Sequence, residues 1–153
     1  MKKLAANYIL SESGLLLKNG ILIAEDDGNV IEVVDTKGDL DEIAQLTFYN
    51  GILMVNKLYI RKNTESTETD SLVQFVNLKI GGFEQLTSTE IIEIAKQTQA
   101  EFSEMKIPEI SAAIFSLLNS CFCIKEQPGI FLLVSSDLIG LHFKPQTMLK
   151  RIL

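Results

Sequence analysis

Residues 61–70, Arg-Lys-Asn-Thr-Glu-Ser-Thr-Glu-Thr-Asp, pass without one apolar side chain. A stretch of this kind buries nothing that offsets the entropy of ordering it, so it reads as an exposed loop or linker. It divides the chain into two segments. Short strands punctuated by turn residues precede it, and a strand, two helices and further strands follow it. That order is the pattern of an α+β domain.

In the first segment, Ile21-Leu-Ile-Ala and Val30-Ile-Glu-Val-Val flank Glu25-Asp-Asp-Gly-Asn29. Asp-Gly between two such runs is a strong hairpin signal, and its acids are then a solvated turn rather than a calcium loop, which needs more oxygen ligands at fixed spacing. Ala6-Asn-Tyr-Ile-Leu10 reads as an earlier strand, and residues 15–20 as a strand or turn leading into the hairpin. A turn at Asp35-Thr-Lys-Gly38, a short helix over residues 40–45 and a strand over residues 46–49 follow. That strand is expected to end at the turn pair Asn50-Gly51, and a new extended run covers residues 52–60.

Beyond the linker, Leu72-Val-Gln-Phe-Val-Asn-Leu-Lys-Ile80 partly alternates apolar and polar residues and ends at Gly81-Gly82, which predicts a strand. Thr87-Ser-Thr-Glu90 is a capping-box pattern, and Ile91, Ala95, Thr98, Phe102 and Met105 then fall on one helix face. Pro108 starts a second helix with an apolar stripe of Ile110, Ala113, Ile114, Leu117, Leu118 and Cys121. Gln127-Pro-Gly129 breaks the chain, residues 130–134 form a continuous apolar strand, and a last strand over residues 147–153 follows Lys144-Pro145. No internal repeat is visible.

Charge narrows the partners. Lys plus Arg number 14 against 20 Asp plus Glu, a formal charge of −6, which opposes binding to phosphate backbones or anionic lipid. Nucleic acid and membrane are accordingly not expected partners. The opening Met1-Lys-Lys-Leu-Ala-Ala-Asn-Tyr-Ile-Leu is interrupted by Asn7 and stops at Ser11-Glu-Ser13, too short an apolar run for a signal peptide. A cytoplasmic protein is the expectation. Cys121 and Cys123 sit in an apolar run and read as two small buried hydrophobes rather than a disulfide or metal pair.

Some of these strands resemble a known family. Ala5-Ala-Asn-Tyr-Ile, Lys18-Asn-Gly-Ile-Leu-Ile, Gly28-Asn-Val-Ile-Glu-Val and Tyr49-Asn-Gly-Ile-Leu-Met resemble the opening of metal-dependent amidohydrolases, in the cytosine-deaminase and chlorohydrolase-like branch that includes aminodeoxyfutalosine deaminases. Gln127-Pro-Gly-Ile-Phe-Leu-Leu-Val-Ser-Ser-Asp-Leu and Lys144-Pro-Gln-Thr-Met-Leu-Lys-Arg-Ile-Leu look like that family's closing segment. The resemblance covers roughly residues 4–54 and 108–153. It implies a composite domain, a small β-sandwich built from N- and C-terminal strands with two helices. Residues 1–54 would give the N-terminal strands, 55–107 a remodelled connection with one helix, and 108–153 a helix and the C-terminal strands.

What the family places next is missing. Its first barrel strand carries His-x-His, two side chains on one strand face that grip a metal together. Here the chain reads Val55-Asn-Lys-Leu-Tyr-Ile-Arg-Lys, and His142 is the single histidine. A (β/α)₈ barrel takes about 250 residues, more than the 153 present. No catalytic, cofactor-binding or metal-ligating residue is assigned, and no cofactor is expected. His142 reads as a packed strand residue, and Ser135-Ser-Asp137 as a turn. Ser11 and Ser13 join no Ser-His-Asp set. Gly81-Gly82 is a bend, and Glu90, Glu93, Glu101 and Glu104 are a solvated helix face.

The reading is thus a non-enzymatic binding or assembly protein. The alternatives are a small-molecule-binding module, a hydrolase-related protein with an unrecognised site, or a companion subunit of a full-length amidohydrolase. A symmetric homodimer or a protein partner is expected to cover part of the helix from Pro108 or a neighbouring sheet edge, because that helix carries Ile114, Phe115, Leu117 and Leu118, with Phe122 just beyond, on more than one side.

Overall fold

The structure, a computed structural model, describes residues 1–39, 45–62 and 70–153. The helix expected over residues 40–45 and the linker of residues 61–70 fall almost wholly outside the described residues. Among the described residues, eight strands form one mixed sheet: β1 (Lys2–Leu10), β2 (Leu16–Lys18), β3 (Ile21–Ala24), β4 (Val30–Val34), β5 (Leu46–Arg61), β6 (Gln85–Thr87), β7 (Phe122–Val134) and β8 (Met148–Arg151). Three helices, α1 (Ser71–Ile80), α2 (Ser88–Glu101) and α3 (Ile107–Cys121), complete an α+β fold.

The strand order is β4-β3-β1-β5-β7-β8, with β2 on β1 and β6 on β5. The 16-residue β5 is the spine. One edge is shared by β1, running parallel along its first part, and by β6, antiparallel along its last, while β7 follows the other edge. The turn expected at Asn50-Gly51 does not form. Gly51, at φ +147°, instead carries the strand through a bulge, its amide donating to Asn7 Oδ1 at 2.7 Å while the β1 register shifts between Ala6 and Tyr8. Pairing along both edges holds the strand straight through a dipeptide that in isolation favours a turn.

Gln127-Pro-Gly129 likewise does not break the chain. It lies inside the 13-residue β7, where Val55 pairs with Ile130 and Lys57 with Glu126, so Asn56 alone faces three residues. Asn56 Nδ2 donates to the Pro128 carbonyl at 3.0 Å, and the Gly129 amide donates to the Gly28 carbonyl at 2.9 Å. The last bond ties the tip of the β3–β4 hairpin to a strand four places away in the sheet order. The sheet is therefore strongly coiled. Leu4, Leu22, Ala24, Leu53, Ile130 and Leu132 meet inside the coil as one core cluster.

The opposite face carries the larger core, where Ile52, Met54, Tyr59, Leu86 and Leu133 meet the buried faces of all three helices. Helix α1 replaces the strand expected over residues 72–80. Asp70 caps it, accepting from the amides of Leu72 and Val73 at 3.0 and 3.3 Å, and Val73, Val76 and Ile80 pack toward the core at helical spacing. Partial alternation and helical spacing share several positions here, and the cap with the core contact decides between them.

Helix α2 begins at the Thr87–Glu90 capping box, and α3 has Pro108 in its first turn, both as the sequence predicts. The ground for expecting a dimer on α3 is corrected. Ile114, Phe115, Leu117, Leu118 and Phe122 are all buried within the chain, because α3 packs against α1, α2 and β7 together. The two cysteines also differ: Cys121 is buried, whereas Cys123, one residue into β7, is exposed.

Candidate functional site

Coiling of the sheet brings the β4 arm, residues 29–33, across from the bulged middle of β5 and β7 and opens a cleft of about 670 Å³. Its wall and floor are fixed by three local devices. The turn after β1, residues 11–15, is closed by the Ser11 amide on the Leu15 carbonyl and the Gly14 amide on the Ser11 carbonyl. Gly14 is pressed so close to α3 that an added Cβ would lie 2.6 Å from the Ser111 carbonyl oxygen, and Asn119 Nδ2 donates to the Glu12 carbonyl at 3.1 Å. Glu12 is thereby held at the cleft.

The bulge supplies the second device. By displacing the register at Asn56 it turns Met54, Lys57 and Tyr59 to the helix side of β5, with Lys57 opposite Glu126. Lys57 is only 7% exposed, and its Nζ donates to Oε1 of Glu126 at 2.8 Å and also to Oε1 of Glu12. Both carboxylates reach into solvent. Burial pulls the Lys57 ammonium down, but its hydrogen bonds to Glu12 and Glu126, and then their charges, outweigh that and hold its pKa above the ordinary 10.5. Lys57 stays a cation.

Tyr59 is the third. It is 2% exposed, lies edge-on to Phe115 with ring centroids 6.4 Å apart, and lines the cleft with it. Burial, followed by the charges of Glu12 and Glu126, raises the phenol far above its ordinary value. Both polar groups at the floor therefore keep their protons at neutral pH. The lining carries Glu12, Glu32 and Glu126 against the single cation Lys57. A bound group there meets an acidic rim and an apolar wall that includes Val30, Val33, Met54 and Phe115.

Sequence reasoning singled out none of Glu12, Lys57, Tyr59 or Glu126. The available signal was Asn56-Lys57 interrupting the apolar run of residues 52–60, a polar pair that a strand buried on both edges does not tolerate without a partner. The residues weighed from sequence lie elsewhere or act locally. His142 is half-buried and pairs by an isolated bridge with Asp137 across a turn, not within a strand, its Nδ1 3.9 Å from Asp137 Oδ2. The Gly140 amide holds Asp137 below the usual carboxylate range. Ser11 and Ser13 bond each other at 2.9 Å and line the cleft. Glu90 caps α2, Glu93, Glu101 and Glu104 are exposed, and Gly81-Gly82 is a turn after α1.

Among the described residues no three His, Cys, Asp or Glu side chains gather as a metal-ligand set, and no helix is long and apolar enough to cross a membrane. No family model matches the chain, and neither a curated protein nor a solved structure does.

Proposed function

We propose that this chain is a non-catalytic module that binds a small molecule in the cleft between the β4 arm and Lys57. The observation that carries this is the pair of nearly buried polar side chains, Lys57 and Tyr59, at the floor of a cleft of about 670 Å³ with an apolar wall. Small-molecule sites combine such a volume with an apolar wall and a few convergent polar groups. Binding is favoured over catalysis because the lysine and the phenol keep their protons, and the cleft carboxylates of Glu12 and Glu126 hydrogen-bond only Lys57 and activate no hydroxyl, thiol or imidazole among the described residues. The same reading takes the coiled sheet as the β-sandwich of an amidohydrolase-like composite domain. Leu153 lies beside Gly28, which supports N- and C-terminal strands sharing one core.

The test is a fragment screen on methyl-labelled protein by NMR. The expected result is that at least one fragment at millimolar concentration shifts the methyls of Met54, Val30 or Val33 selectively. A library that leaves all three unmoved would overturn the reading.

A homodimer is the second reading, supported on β4 rather than α3. Ile31 and Val33 are exposed there, and β4 is a terminal strand of the sheet among the described residues. Light scattering at micromolar concentration decides it, and a strict monomer removes the assembly role.

A further inference from the structure

We infer that the cleft selects a small organic cation, a primary ammonium group carried on an apolar body. The inference rests on the cleft being the binding seat and adds the chemistry of what sits in it.

Electrostatic complementarity sets the sign. Three carboxylates line the cleft against one ammonium, and Lys57 uses only Oε1 of Glu12 and Oε1 of Glu126. The second oxygen of each carboxylate makes no hydrogen bond among the described residues and remains open to a donor. An anion entering the same space would face three negative groups, while the one cation able to meet it is already held between two of them. The whole chain, at −6, works in the same direction.

A second and independent observation points to a ligand. The Tyr59 side chain is only 2% exposed and lines the cleft; its hydroxyl makes no hydrogen bond among the described residues and, unlike Ser88 Oγ and Ser136 Oγ, is not sealed off, so it is open to a donor in the cleft. An ammonium group carries three donors, and the free oxygens of Glu12 and Glu126 with the Tyr59 oxygen are three acceptors on residues that line the same cleft. The edge-to-face Tyr59–Phe115 pair adds aromatic surface next to that volume, which attracts cations. Val30, Val33 and Met54 are left to receive the apolar body.

The test compares three probes with one body on methyl-labelled protein: 2-phenylethylamine, 2-phenylethanol and 3-phenylpropanoate. The amine is expected to shift Met54, Val30 and Val33 methyls with an apparent affinity about tenfold above the alcohol, the scale of one charge-assisted hydrogen bond, and the propanoate to bind more weakly than either. Tyr59→Phe, which keeps the ring packing, and Glu126→Gln should each weaken the amine several-fold and leave the alcohol unchanged. Lys57→Met removes the competing internal cation and should strengthen the amine. An alcohol or a propanoate that shifts the same methyls as tightly as the amine overturns the cation assignment and leaves the cleft a binding site. Failure of all three probes to shift them overturns the assignment as well, and a negative fragment screen then removes the site itself. Amine binding that survives both Tyr59→Phe and Glu126→Gln at full strength also overturns it.

Discussion

Lys57 on β5 and Glu126 on β7 are direct cross-strand partners, and the Lys57 Nζ donates to Glu126 Oε1 across 2.8 Å. The relationship is unequal, because the lysine is nearly sealed and the glutamate stands in water. Removing a carboxylate therefore exposes a cost on the lysine, whereas removing the lysine strands no buried charge.

That asymmetry predicts non-additive stabilities. Glu12→Gln and Glu126→Gln should each cost under about 1 kcal/mol, since the carboxylates are solvated and screened and the other one still serves Lys57. The double variant should cost about 3 kcal/mol or more, the penalty of an uncompensated buried charge. Lys57→Met should be close to neutral. Urea unfolding of the four proteins measures this, and an additive double variant would contradict the shared-lysine arrangement.

Alkaline pH should destabilise the fold through two groups acting in one direction. Folding raises Lys57 above 10.5 and Tyr59 above 10.0. The folded state thus holds more protons than the unfolded state once pH passes those values, and stability falls as pH rises. Their contribution is fully present below about pH 10 and is lost progressively above it. Urea midpoints across that range should decline, less steeply in Tyr59→Phe. Tyrosinate absorbance should show one tyrosine that ionises only as the protein unfolds.

Gly28 and Gly38 both have positive φ, at +92° and +87°, but different surroundings. A Cβ on Gly28 would lie 2.8 Å from the Gly129 nitrogen, whereas on Gly38 the nearest atom is the Lys18 Cδ at 4.0 Å. Gly38→Ala should cost about 1 kcal/mol, the conformational term alone. Gly28→Ala should cost at least about 2 kcal/mol more, because it also parts the hairpin tip from β7. Thermal melts of the two variants provide the comparison, and equal losses would mean that the Gly28–Gly129 contact closes nothing.

Ending the chain before Gly129 should abolish cooperative unfolding. Ile130, Leu132 and Leu133 are buried on the two faces of the sheet, and each such side chain contributes about 1.5 to 3 kcal/mol against a total of about 5 to 15. A truncated chain that still melts sharply with unchanged circular dichroism would show that β7 beyond the bulge and β8 are dispensable.

Local signals were legible where one signal dominated. The Asp27-Gly28 hairpin, the Thr87–Glu90 box and Pro108 each specify their own backbone, and the structure has them where the sequence places them. Three readings went otherwise for one reason. Asn50-Gly51, Gln127-Pro-Gly129 and residues 72–80 are ambiguous locally, and partners distant in sequence decide them: Asn7 and β7 for the first, Asn56 and Gly28 for the second, the helical core for the third. The cleft was illegible for the same reason. Glu12, Lys57 and Glu126 come from three separated segments, and only the register of β5 on β7 and the seating of the β1–β2 turn on α3 bring them to one point.

The two-edged pairing of β5 also sets the order in which a growing chain can finish. During synthesis β1 and β5 are available long before β7, which starts at Phe122. At about 5 to 20 residues per second, β5 waits several seconds with one long edge open. Ile52, Leu53, Met54 and Val55 lie along that edge, and an open apolar edge recruits strands from other chains. The helices α1 to α3 are made within that interval and form from local contacts. They can shield the face of Ile52 and Met54 but not the edge itself, so the nascent chain is most exposed to aggregation just before its last strands emerge.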